Sequence, residues 1–267
     1  MDAHLPDAIC QSVVSLLPVQ SPPGPLGGRP PVPHAVVLKV IWFVLTVGCR
    51  WRDIPKSMGC CGELARQRLA VWQELGIWQH LHQTLLEELN RKHALDLEIV
   101  VVDSTHVRAF GGGAESGPSP VNRRKTGTKY TIMTDGHGTP LAMLATAGNT
   151  SDHRCILPIV EQYPHVAGAR GRPREHPQVL YADAGYDSDA TRQTLRNRGI
   201  EPYIRRRKTE HGSGLGKIRW VVERTHSWLG GLRRFRIRYD RHPTLIDAWN
   251  NLALAALCYS VLRRHTV

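Results

Sequence analysis

The chain has 267 residues, six cysteines and a formal net charge of +12, with 35 Lys and Arg against 23 Asp and Glu. That length buries a substantial core, and so basic a surface suits a polyanionic partner without by itself choosing DNA over RNA. Scattered cysteines without Cys-x-x-Cys spacing argue against zinc or a disulfide framework.

The N-terminus, MDAHLPDAIC, has no basic-then-apolar leader pattern, and no apolar run reaches the roughly 20 residues that span a bilayer. No Walker-type phosphate loop is present. A soluble, cytoplasmic protein using neither membrane nor ATP is the expectation.

In chain order, residues 19–33 (VQSPPGPLGGRPPVP) are too rich in Pro and Gly for a helix or strand. They read as an exposed arm whose Arg29 can enter a minor groove, although a plain linker serves equally well. Apolar helical patterns cover 36–47, 64–75 and 78–89, broken by Gly48, Pro55, Gly59, Gly62 and Gly76. They predict a small all-α domain over residues 1–94. Short helices with tight turns, and Arg66 and Arg68 on the second, suit a helix-turn-helix-like DNA reader; a dimerisation or packing bundle fits the same pattern.

The run 97–102 is almost continuously apolar, as for a strand covered on both faces, and Asp103 is expected where the chain leaves the sheet. Residues 110–122 (FGGGAESGPSPVN) read as a mobile loop, and the basic stretch beyond it, Arg123, Arg124, Lys125 and Lys129, as a segment that orders on DNA. Next, KYTIMTDGHGTPLAMLATAG holds two apolar runs around the turn formers Asp135 to Gly138, an antiparallel hairpin. Asp152 can be a fourth acid near the site, but it also sits where a helix N-cap is wanted before residues 154–160 and is assigned to capping.

A second run, Val179, Leu180 and Tyr181, ends at Asp183. Ser188 or Asp189 then caps a helix that Gly199 terminates, and a third run around Tyr203 and Ile204 leads into Arg205, Arg206 and Arg207. Further on, Ile218, Val221, Val222, Thr225, Leu229 and Leu232 recur at helical spacing, while Arg219, Glu223, His226 and Gly230 form another stripe. Glu223 can therefore point out of the core towards the other acids. Residues 244–262 read as a final helix.

Strand, hairpin, helix, strand, helix, strand, helix is the order of a ribonuclease H-like α/β fold, a mixed five-stranded sheet flanked by helices, here over residues 95–267. Two acids at strand ends and one on a helix are the arrangement a two-metal phosphodiester centre needs: a few carboxylate oxygens held close together on rigid elements. His106 and His226 lie near these acids in sequence but are not read as metal ligands, because hard magnesium prefers oxygen. Trp228 serves core packing or stacks on an unpaired base.

Several blocks in one order, GRPPVP, VGCRWRDIP, VVDSTHVRA, YADAGYD and RWVVERTHSWL, resemble bacterial insertion-sequence transposases of the DDE type, most like the IS Five family with the IS Four family as a relative. The resemblance implies that Asp103, Asp183 and Glu223 form the catalytic and metal-binding triad. It also implies two Mg2+ ions replaceable by Mn2+, double-stranded DNA as partner, both terminal inverted repeats and target, and a homodimer or larger synaptic oligomer. Of the Tyr, Arg, Glu, Lys signature around the last acid, Arg219 and Glu223 match, while Gly216 and Gly230 stand at the Tyr and Lys positions. Arg233 or Arg234 is a candidate for the missing basic role. A nuclease of the same fold that does not rejoin DNA, and a non-catalytic derivative, are the rival readings.

Overall fold

β1 (Ile99–Ala109) occupies the middle of the sheet and organises everything around it. The structure, a computed structural model, describes residues 4–20, 27, 30–168, 171–206 and 216–265, with side chains from residue 220 onward in the last stretch. Arg29, Arg207 and the side chain of Arg219 lie outside the described residues.

β3 (Thr126–Asp135) runs antiparallel to β1 from Val100 to Arg108, and β4 (Pro140–Ala147) closes the hairpin on β3. On the other side β5 (Val179–Ala182) pairs parallel with β1, and β6 (Glu201–Ile204) pairs parallel with β5. The order β4-β3-β1-β5-β6, with β3 alone reversed, is that of a ribonuclease H-like sheet. Two-residue additions, β2 (Gly117–Pro118) against β3 and β7 (Ile237–Arg238) against the far end of β1, bring it to seven strands.

The strand carrying the first acid is longer than its apolar run. Asp103 was expected where the chain leaves the sheet, yet it lies mid-strand, paired with Ile132 of β3. What ends near it is the neighbour: β5 pairs with β1 only from Ile99 to Val101, and β7 takes up the same edge again only at Arg108. Between them β1 keeps β3 on one side and, among the described residues, has no strand partner on the other. The six polar-containing residues after Val102 are sustained by the β3 ladder and not by burial on both faces.

Among the described residues this half holds the helices α5 (Ile156–Val160), α6 (Asp189–Asn197), α7 (Gly216–Gly231) and α8 (Pro243–Arg264). Ser188 caps α6, its hydroxyl accepting the Thr191 N–H at 3.4 Å, and Gly199 follows at φ +75°, a left-handed turn that a side chain would strain. Before the sheet come α1 (Asp7–Leu16), α2 (His34–Val47), α3 (Gly62–Glu74) and α4 (Ile77–Arg91). Residues from α1 to α4 share one continuous apolar core with the sheet and α8. Residue 94 thus divides the chain in sequence while the packing runs straight through it.

By length and apolar content α8 does reach spanning size, which the shorter run 252–262 was expected to miss; 72% of its apolar window is nevertheless buried inside the protein, against α3, α4 and β4. The segment 110–122, expected to be a mobile loop, is tied down. Its Gly117–Pro118 pairs with β3, the Phe110 N–H donates to the Arg238 carbonyl at 2.8 Å, and the Ala114 N–H donates to that of Arg241 at 2.9 Å.

Candidate active site

Register brings the first two acids together. Val101 is the β1 partner of Tyr181 on β5, and side chains alternate along a strand, so Asp103 and Asp183 each lie two positions beyond a paired residue, on the same sheet face. The chain stays extended through Asp183, at φ −82° and ψ −179°. Val101, with Tyr181 against it, packs on Val221 and Val222 of α7. The helix that carries Glu223 therefore lies on the face that carries the aspartates. Glu223 itself is exposed, and His226, one turn further along the same stripe, brings Nε2 to 3.9 Å from Asp103 Oδ2.

Local hydrogen bonds orient the acids. The Ser104 N–H donates to Asp103 Oδ1 at 2.9 Å, and the Gly185 N–H donates to Asp183 Oδ1 at 2.8 Å, holding Asp183 at the head of a 3-10 turn, Ala184–Tyr186. Gly185 cannot be replaced there without displacement. A Cβ on it would stand 2.7 Å from Asp152 Oδ2 and 3.0 Å from Asp183 Oδ1, so these two carboxylates flank one small cradle. Tyr186 lies beneath, 1% exposed, with its hydroxyl lacking a hydrogen-bond partner at normal geometry. Burial raises this phenol well above its ordinary range, opposed by the Ser104 side chain and reinforced by Asp103, Asp152 and Asp183, so it keeps its proton.

Asp152 is the correction that matters most. It makes no helix cap; Ser151 precedes the 3-10 turn Asp152–Arg154, and no side chain caps it. The Asp152 Oδ1 instead accepts from Lys129 Nζ at 2.6 Å and from Ser104 Oγ at 3.2 Å. Lys129, expected in an exposed basic track, is consequently buried, its ammonium donating also to the Thr150 carbonyl. Alternation along the strands explains this: Lys129 pairs with His106 on the sheet face that Ser104 shares, opposite to that of Asp103, whereas Arg123, Arg124 and Lys125 precede the strand and are exposed. His106 donates to the Gly148 carbonyl at 3.2 Å, and burial holds its imidazole below the ordinary value.

Arg234 is also misplaced by the sequence reading. It is buried, paired with Asp240, donates to the Cys49 carbonyl at 2.8 Å, and lies against Trp51, Tyr239 and Trp249. It can contact no phosphate. Arg233, beside it, is exposed.

Trp228 stands on a different stripe of α7 from Glu223, in line with Trp220 and Arg224. Arg224 and Arg264 approach its ring to 4.6 and 4.4 Å, within a cleft of about 570 Å³ that His93, His137 and His265 also line. Packing between two guanidiniums, away from the acids, is its role here. Arg66 is tied to Glu63 one turn before it, Arg68 is half-buried on α3, and Arg206 pairs with Asp189. The Arg205 N–H donates to the Ala182 carbonyl at 3.4 Å, close to Asp183.

Among the described residues no three of His, Cys, Asp and Glu are gathered closely enough to hold a metal ion as they stand. The donor chemistry nonetheless fits magnesium: hard carboxylate oxygens, two of which, Asp152 Oδ2 and Asp183 Oδ1, flank Gly185, and a buried Tyr186 hydroxyl without a partner at normal geometry.

A ribonuclease H-like sheet with one aspartate on its central strand, another just beyond the adjacent strand and a glutamate on the helix covering them is the arrangement of a polynucleotidyl-transferase type of enzyme. Residues 94–261 match the family described as "Transposase DDE domain", and residues 5–82 match "Putative transposase of IS4/5 family". The chain belongs to the DDE transposase family of the IS4/5 group, metal-dependent enzymes that cut and join DNA.

Among its relatives is the "Putative transposase for insertion sequence element IS402" of Burkholderia cepacia, 49% identical over 153 residues, 57% of this chain and 72% of that one. A second Burkholderia cepacia protein, the "Insertion element IS402 uncharacterized 16.2 kDa protein", is 41% identical over 108 residues, covering 39% of this chain and 74% of its own length. Among solved structures, the catalytic domain of Mos1 mariner transposase aligns at a TM-score of 0.37 with 14% identity, over 71% of this chain and 88% of that one.

Proposed function

We propose that Asp103, Asp183 and Glu223 are the catalytic acids of a transposase that binds the terminal inverted repeats of its own insertion sequence, cuts at their ends and joins the freed 3′ hydroxyls to target DNA. The observation that carries the reading is the Val101–Tyr181 pairing under Val221 and Val222, which turns residues far apart in sequence towards one face. Two Mg2+ ions held by these acids, replaceable by Mn2+, would activate the attacking oxygen and stabilise the leaving one.

The chain's own groups do the rest. Backbone N–H groups of Ser104 and Gly185 fix the two aspartates, and the half-buried His226 beside Asp103 limits water on the α7 side. The exposed Glu223 side chain reaches the centre by its own rotamers. Exposed Arg123, Arg124, Lys125 and Arg233 track phosphates. Residues 1–94 read the repeat as an N-terminal unit, residues 95–267 carry the chemistry, and the enzyme acts as a homodimer or larger synaptic complex in the bacterial cytoplasm without ATP.

The test is strand transfer from a pre-cut repeat end. Asp103→Asn, Asp183→Asn and Glu223→Gln each lower joining by more than about a hundredfold, beyond what loss of a supporting partner costs, while end binding by mobility shift is kept. Joining at the native rate in any of the three refutes its assignment.

A further inference from the structure

Asp152 lies outside the triad, yet its environment is built. One carboxylate oxygen, Oδ1, is clamped by a buried ammonium and a serine hydroxyl, Lys129 Nζ at 2.6 Å and Ser104 Oγ at 3.2 Å. The other, Oδ2, faces the cradle at Gly185 that Asp183 Oδ1 faces from its own side. A carboxylate held by one oxygen with the other turned towards a second carboxylate is arranged as metal-site carboxylates are, oriented by partners on the outer oxygen.

Lys129 would suffice as a reason for Asp152 if the pair were only structural, but a simple ion pair does not require the opposite oxygen to crowd an aspartate. A second observation points the same way: Tyr186, 1% exposed, keeps its hydroxyl beside Ser104, without a partner at normal geometry, and within electrostatic reach of Asp103, Asp152 and Asp183. Buried hydroxyls without a well-formed hydrogen bond are rare, and one close to carboxylates suits a position where an ion's water is bound.

We propose that Asp152 is a fourth acid of the centre, lending Oδ2 to divalent-cation binding on the Asp183 side, with Lys129 and Ser104 as the groups that fix its Oδ1. The inference rests on the reading of Asp103 and Asp183 as cation-binding acids. In this arrangement Lys129 serves as counter-charge to the acid in the DNA-free protein, and Gly185 is glycine because a methyl group would occupy the shared space.

The experiment is Mn2+ binding to the full chain without DNA, followed by the electron paramagnetic resonance of the ion, with thermal melting recorded alongside. Asp152→Asn, which keeps the shape and an acceptor for Lys129, weakens Mn2+ binding by about tenfold or more. Asp152→Glu, which keeps the charge and the ion pair but moves Oδ2, also weakens it. Native affinity in Asp152→Glu overturns the proposal even if Asp152→Asn does not fold, because a purely structural pair survives that change. Asp183→Asn separates the two readings: if it binds Mn2+ normally, the triad assignment fails first; if it loses binding while both Asp152 variants keep it, only the fourth acid is wrong.

Discussion

Replacing Asp240 by Ala should cost more stability than any change at the acid centre. Its carboxylate accepts from Trp51 Nε1 at 3.1 Å and Trp249 Nε1 at 2.8 Å, and it pairs with Arg234, whose side chain is 2% exposed. Trp51 and Trp249 stack at 5.5 Å, with Arg234 within 5.6 Å of both rings. Removing the acid leaves a buried guanidinium without its counter-charge, worth about 3–5 kcal/mol. The two lost indole bonds share the same acceptor and do not add in full, so the total stays at about 4 kcal/mol. At about 2–4 °C per kcal/mol for a chain of this size, melting falls by about 10 °C. Differential scanning calorimetry or circular dichroism reads it. Arg234→Met with Asp240→Leu should recover much of the loss, since no charge is then stranded. A single variant melting within about 2 °C of the native chain would show that the site is hydrated and the reasoning wrong.

His82, buried on α4 with its ring against the Pro140 carbonyl at 3.1 Å, has its pKa pushed down to about 4 by burial. The unfolded chain then binds the proton that the folded chain refuses, so stability falls as pH drops from about 6.5 towards 4, by up to about 3 kcal/mol. His82→Gln should flatten that limb in denaturant titrations across the window; an unchanged slope would rule His82 out as its source. Asp135, raised by burial in the hairpin turn, works in the opposite direction and makes the native slope shallower. Arg123→Ala with Arg124→Ala should weaken DNA binding alike for specific and random sequences and reduce the log–log salt slope by about 2. A salt slope left as in the native chain would remove both from the phosphate track.

The ribonuclease H-like order was legible because its signals are local: alternation and turn formers mark the hairpin, Ser188 and Gly199 bracket α6, and apolar spacing on α7 leaves Glu223 on another stripe. Asp103, Asp183 and Glu223 could be singled out for the same reason. Asp152 shows in the sequence as a possible fourth acid but is assigned to capping, because the residues that define it, Lys129 and Ser104, come from two strands, while its own neighbours mimic a cap. Basic runs misled in a similar way. Arg234 sits among arginines that look solvated, and only Trp51, Asp240 and Trp249, brought together by the fold, reveal a buried charge. The helix α1 escaped notice because it is short and starts at Pro6 without a side-chain cap.

The unbroken core across residue 94 leaves the chain without a hinge between its leading helices and its sheet. On the proposed reading of residues 1–94, a base gripped by α2, α3 or α4 then stands at a set distance from the phosphate presented to the aspartates, as if measured by a caliper. Moving the cut by even one nucleotide would demand a new protein surface, since bending the old one would open apolar packing to water.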